Sequence, residues 1–137
     1  MTQDRRGRLR HPLDSLSVRL KVKRSLFNTE WVAVRPLAYS RNQLALKTDE
    51  IMRVGDRIQV SLHLRLEFGD VLIDEAEAIV DSLEKDCSCF NYQTTFDQAS
   101  RRMRRADVQQ GLTRMENLLD RYRDILQKMQ GTATTPP

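Results

Sequence analysis

Between Arg57 and Leu66 every second residue is apolar: Ile58, Val60, Leu62, Leu64 and Leu66 alternate with Gln59, Ser61, His63 and Arg65. A period of two places all five apolar side chains on one face of an extended strand and leaves the other face polar. Such a face needs further strands to cover it, and the chain supplies them. Leu16, Val18, Leu20 and Val22 alternate with Ser17, Arg19, Lys21 and Lys23. Trp31 to Tyr39 reads as a second strand, in which Pro36, lacking an amide donor, predicts an edge or a bulge. A short third strand is expected around Leu44 to Lys47. Val71 to Leu83 follows, with Leu72, Ala76, Ala78 and Val80 as its core face, and then Cys89 to Phe96, with aromatic rings at Phe90, Tyr92 and Phe96. Turns are expected at Asn28-Thr29, Val54-Gly55-Asp56 and Phe68-Gly69-Asp70. Six short strands with tight connections and no helix between them predict a mainly β fold, an antiparallel barrel or sandwich.

After Phe96 the period changes. Val108, Leu112, Met115, Leu119, Tyr122, Leu126 and Met129 step alternately by four and three, an a/d heptad pattern, with Leu118 and Ile125 widening the stripe. Asp97 or Ser100 is positioned to cap this helix and Gly131 to end it. The expected organisation is a flexible arginine-rich arm at 1–12, a β-barrel at 13–97, a helix at 98–130 and a disordered tail at 131–137. A helix of about 30 residues, or about 45 Å, exceeds what a barrel of this size covers. The pattern therefore predicts a homo-oligomer held by Leu112, Met115, Leu119, Tyr122 and Leu126. The alternative is an amphipathic helix folded back on its own barrel, which the broadening by Leu118 and Ile125 favours.

Charge is unevenly placed. The net formal charge is only +4, but Arg5, Arg6, Arg8, Arg10, Arg19, Lys21, Lys23 and Arg24 crowd the first 24 residues, and Arg101, Arg102, Arg104 and Arg105 form a second cluster. Crowding of this kind suits an anionic partner, or else a solvated face. No apolar run is long enough to span a membrane, and the basic MTQDRRGRLR stretch has no apolar segment behind it, so no secretory signal is expected. Cys87 and Cys89 are the only cysteines, too few and too close for a disulfide framework, which predicts a reducing, cytoplasmic setting. No second cysteine pair or histidine completes a zinc site around them, and His11 and His63 belong to no recognisable nucleophile arrangement. Neither a phosphate-binding glycine loop nor a catalytic motif occurs. The expectation is a protein that is not an enzyme and carries no cofactor or metal.

The arm Arg5-Arg6-Gly7-Arg8-Leu9-Arg10 carries the most specific pattern. Arginine forks grip phosphates bidentately, stack on purine planes and read the O6/N7 edge of guanine. The arm resembles the R-R-x-x-x-R motif of bacterial PilZ domains, with Arg5, Arg6 and Arg10 at the arginine positions. That family carries a second motif, D/N-x-S-x-x-G, at the end of the second strand. Here the corresponding segment is Ala38-Tyr39-Ser40-Arg41-Asn42-Gln43, which keeps the serine as Ser40. The phrase Met52-Arg53-Val54-Gly55-Asp56 before a long alternating strand, and a helix after the last strand, also look like PilZ domains; the resemblance covers about residues 5 to 125.

What the resemblance implies is a six-stranded antiparallel PilZ-type β-barrel with a long C-terminal α-helix, acting as a receptor for cyclic di-GMP. Arg5, Arg6 and Arg10 would hold its phosphates and guanine edges, Ser40 would hydrogen-bond it from the barrel surface, and Arg8 and Arg41 would lie beside it. Ala38 stands where an acidic or amide side chain accepts guanine donors, and a lost charged hydrogen bond costs about 1.5–3 kcal/mol. Gln43 replaces the glycine; were that position to need a positive φ, the side chain would add roughly 1–2 kcal/mol. Arg41 and Asn42 are candidates to substitute for the missing groups. Three functions follow as expectations: a cyclic di-GMP receptor that relays to a protein partner in motility, adhesion or polysaccharide export; a PilZ adaptor that no longer binds nucleotide and works through protein contacts; and a basic nucleic-acid-binding barrel. The last is disfavoured by the lack of a row of exposed aromatic residues.

Overall fold

The computed structural model describes residues 12–134, with side chains as far as Met129. A 3-10 turn at Pro12–Ser15 leads into six strands: β1 (Leu16–Ser25), β2 (Asn28–Tyr39), β3 (Gln43–Thr48), β4 (Arg57–Leu66), β5 (Gly69–Asp86) and β6 (Cys89–Phe96). One helix, α1 (Ala106–Thr134), follows. All neighbouring strands are antiparallel, in the order β1-β2-β3-β6-β5-β4, and β1 pairs with β4 as well as β2, so the sheet closes on itself. The alternation that predicted the strands also fills the interior. Leu16, Val18 and Leu20 of β1 meet Ile58, Val60, Leu62 and Leu64 of β4, Ala78 and Val80 of β5, and Tyr92 and Phe96 of β6 in one buried cluster, with Phe90 partly buried against it.

Bulges decide where the simple alternation fails. On β2 the register slips between Pro36 and Ala38, the irregularity that a residue without an amide donor invites. On β5, Ile73 opposes Leu62 and Ala76 opposes Val60, so two residues, Asp74 and Glu75, face the single Ser61. That extra residue reverses the parity of the strand. Val71 and Ile73 point inward before it, and Ala76, Ala78 and Val80 after it. Leu72, expected in the core, is therefore exposed.

The β1–β2 hairpin also turns earlier than its sequence suggests. Asn28 pairs with Ser25, and the two turn residues are Leu26 and Phe27. Similarly, the β4–β5 turn is Glu67-Phe68, with Gly69 already in the strand.

The helix begins at Ala106 rather than near residue 98, and continues past Gly131 to Thr134. Residues 97–105 form successive turns instead: the Ser100 amide donates to the Asp97 carbonyl, and that of Arg104 to the Ser100 carbonyl. They are pinned to β5, where Met103 is fully buried and its sulfur accepts the Glu77 amide, while Arg102 pairs with Glu75 and Glu77. Glu75 and Glu77 are thus partly buried members of an ion-pair network. Asp97 accepts the Ala99 amide within this segment and the Ser100 hydroxyl donates to Glu77, so neither caps the helix.

From there α1 runs across one end of the closed sheet. Val108, Leu112, Met115 and Leu119 join the central cluster, and Leu126 is also buried. This corrects the interface expectation. Leu112, Met115 and Leu119 are consumed by the chain's own core, Tyr122 packs edge-on against Phe68, and Leu126 is covered within the same chain. Only the outer part of the stripe, Ile125 and Met129, stays exposed. Close approach is permitted by Gly111, where an added Cβ would lie 3.0 Å from Ile73 Cγ1, and by Gly69, where it would lie 2.9 Å from both terminal carbons of Leu118. Among the described residues no helix is long and apolar enough to cross a membrane.

Candidate functional site

The arginines expected to grip a ligand, Arg5, Arg6, Arg8 and Arg10, lie outside the described residues. The place where the chain leaves them is defined. Pro12 is buried, and the Pro12–Ser15 turn packs against β2 as well as β1, β4 and α1, at the end of the sheet that the helix covers. β2 finishes at this same end, and Tyr39-Ser40-Arg41-Asn42-Gln43 carries the chain over into β3.

That turn is tightly organised. The Ser40 amide donates to the Gln43 carbonyl, and the Gln43 amide donates to Ser40 Oγ at 3.1 Å, so the serine hydroxyl oxygen already closes its own turn. The Asn42 carbonyl accepts the Phe96 amide, which fixes the turn to β6. Gln43 does not have a positive φ; among the described residues Cys87 is the only non-glycine that does. The backbone cost expected at Gln43 is therefore absent, and a side chain here matters only through the space it fills. Ala38 is exposed opposite Ala45, so a methyl group stands at the surface where the motif calls for a polar acceptor.

Two residues that sequence reasoning did not assign to the site hold the turn against the helix. Glu116 of α1 accepts the Arg41 amide at 2.9 Å. Tyr39 donates its hydroxyl to the Leu112 carbonyl at 2.7 Å, and its ring meets Phe96 edge-on. Burial holds the Tyr39 hydroxyl well above the ordinary tyrosine range, and the Glu116 carboxylate adds to the effect. Tyr39 thus remains a proton donor to the helix. These partners are more than seventy residues away in sequence, and no local signal announces them.

Arg41 and Arg35, both exposed, have no ion-pair partner among the described residues, and the same holds for Arg101 and Arg104 of the second basic cluster. The rest of that cluster is neutralised, Arg102 by Glu75 and Glu77 and Arg105 by Asp107. His63 faces outward and pairs with Asp70. Cys87, exposed in the β5–β6 turn, adjoins Asp86, whose carboxyl is held below its usual range by Lys47. Among the described residues no three His, Cys, Asp or Glu side chains gather as metal ligands. Compared with models of known protein families and with curated proteins, the chain matches none.

Proposed function

We propose that the chain is a PilZ-type module that binds cyclic di-GMP and passes the bound state to a protein partner. The observation that carries this reading is placement: the root of the arginine arm and the Ser40 turn share one end of the closed sheet and one strand, β2. Arginines on a short tether rooted there can reach a dianionic ligand resting on the turn, and Arg41 in the turn adds an exposed cation with no ion-pair partner among the described residues. A relay is built in, because the turn is bonded to α1 through Glu116 and Tyr39. Displacing the Arg41 amide from Glu116 would release one tie between sheet and helix.

Titration calorimetry with cyclic di-GMP on the intact chain tests the reading. Arg6→Ala and Arg10→Ala are each expected to weaken binding about tenfold or more, since each removes a charge-assisted contact. Ala38→Asp with Gln43→Gly should strengthen it by restoring an acceptor and clearing space. Glu116→Gln should strengthen it too, by removing a carboxylate from the path of an anionic ligand. Affinity indifferent to all of these variants would overturn the assignment of the site.

A second reading, an adaptor that has given up the nucleotide, is favoured by two observations. Ala38 offers no hydrogen bond, and both Ser40 Oγ and the Arg41 amide already have partners inside the protein. No heat of binding from the wild type or from the restored variant would leave this second reading standing alone.

A further inference from the structure

β1 pairs with β4 only from Leu16 to Leu20, although it continues to Ser25 along β2. β4 likewise has β5 beside it from Arg57 onward, but meets β1 only from Val60. The two strands therefore diverge at the end of the sheet away from α1. Among the described residues no strand pairs the β1 edge beyond Leu20, or the facing edge of β4 before Val60.

The gap is a cleft of about 640 Å³, lined by residues 20–23 of β1 and 57–59 of β4. In both strands, residues of the inner and the outer face contribute. That happens only when a cleft runs between strand edges, not over one face of a sheet. Its volume falls within the roughly 300–1,000 Å³ range of clefts that hold ligands.

Polar and charged side chains, Lys21, Lys23, Glu50 and Arg57 among them, make up more than half of the lining, and on the adjoining loops four apolar side chains stand in solvent without any need of the fold. Leu26 is 73% exposed, Phe27 94%, Ile51 82% and Val54 61%. Leu26 and Ile51 line the cleft itself. A two-residue hairpin turn ordinarily takes Asn, Asp or Gly; here it takes Leu-Phe, and neither residue adopts a positive φ. The tips are also held in place. Arg24 donates to both carboxylate oxygens of Glu50, at 3.1 and 3.0 Å, and also to Glu30, tying the hairpin to the 49–56 loop. The Tyr92 hydroxyl anchors the same loop, donating to the Glu50 carbonyl and accepting the Met52 amide. The hairpin and the 49–56 loop are thus tied together by Arg24 and Tyr92.

We propose that this cleft is a docking site for an extended peptide segment of another protein, which adds as a strand along the free edge of β1 and sets alternate apolar side chains against Leu26, Phe27 and Ile51. Unpaired backbone groups on an edge supply main-chain hydrogen bonds, and apolar pockets beside them supply selectivity. The free edge from Lys21 to Ser25 accommodates a segment of about five residues, roughly 17 Å. The site lies at the opposite end from the Ser40 turn and does not depend on nucleotide binding.

The test is selection of random octapeptides on the intact, immobilised protein, followed by hydrogen exchange with a selected synthetic peptide. Expected are peptides apolar at alternate positions that protect those alternate amides of residues 21–25 that face away from β2, and that lose binding when their own alternate amides are N-methylated. Phe27→Asp with Ile51→Asp should lower affinity by about tenfold or more, as loss of apolar anchors does, while the circular dichroism spectrum is unchanged because both side chains are exposed. Failure to enrich any alternating peptide, or protection confined to other strands, overturns the proposal. So does full protection of residues 21–25 in the free protein, since the edge would then already be covered by the arm or by a second copy.

Discussion

The two ends of the closed sheet both carry large apolar side chains, and treat them in opposite ways. At one end Val108, Leu112, Met115 and Leu119 bring the helix onto the interior beside Met103 of the preceding turns, and all five are buried. At the other, Leu26, Phe27, Ile51 and Val54 stand in solvent around a cleft, on loops fixed by Arg24 and Tyr92. The first end spends its apolar surface on stability. The second keeps it exposed, which is what the proposed peptide site rests on. The difference also separates the two proposed sites. The Ser40 turn sits at the sealed end, where it is bonded to the helix, and the strand edges are open at the far end.

The contrast should be largest in stability. Leu112→Ala or Met115→Ala is expected to cost about 2–5 kcal/mol in denaturant unfolding, the range for emptying a buried site of this size. Phe27→Ser and Ile51→Ser should each change it by no more than about 0.5 kcal/mol. Equal losses at both ends would break the comparison.

Next comes the closeness of the helix to β5. Gly111→Val forces two branched methyl groups toward Ile73 and should destabilise by roughly 1–3 kcal/mol, as overpacking does. A gain in melting temperature would show that the helix sits farther from the sheet than its contacts imply.

A smaller effect is expected at Tyr39. Tyr39→Phe removes the hydroxyl that bonds the Leu112 carbonyl and should cost about 1 kcal/mol at neutral pH. The folded protein keeps this hydroxyl protonated above its ordinary value, whereas the unfolded chain ionises it near pH 10. The stability it provides is therefore present below about pH 10 and declines as pH rises further. The phenylalanine variant should lose that part of the alkaline slope.

The smallest effect concerns Glu77, whose carboxyl is held below its usual range chiefly by the Ser100 hydroxyl, with help from Gln59, Arg102 and Arg57. A lowered value means stability that is complete above the ordinary carboxyl range and lost as pH falls through it. Ser100→Ala should shrink this acid-side loss, with a change at neutral pH below about 1 kcal/mol. An unchanged acid limb would remove Glu77 from the set of groups that fasten the 97–105 segment to β5.

The strands were legible because alternation is a local property. Arg57–Leu66 needs no knowledge of its neighbours to show which side is apolar, and the bulge at Pro36 follows from a missing amide within the strand itself. The helix was equally plain in its period, though not in its partner: a/d spacing describes a stripe and leaves open whether a second copy or the chain's own sheet covers it. The sheet covered it, because Ile73 and Phe96 lie at its open end beside Met103 of the following turns, and because Gly69 and Gly111 let the helix come close.

Of the candidate site, the sequence located Ser40, Ala38 and Gln43. Glu116 and Tyr39 became part of the turn only when the fold brought residues far apart in sequence into contact.

By itself the sequence determined the strand count, most of the apolar faces and the helix, since these depend on the order of neighbouring residue types. Tertiary structure alone decided register, and with it much of the chemistry. One extra residue at Asp74-Glu75 turns Leu72 outward and Val71 and Ile73 inward. The divergence of β1 from β4 after Leu20 opens a cleft that no local pattern announces. Register is set by pairing between distant segments, where the packing of the whole interior outweighs the preference of any one strand.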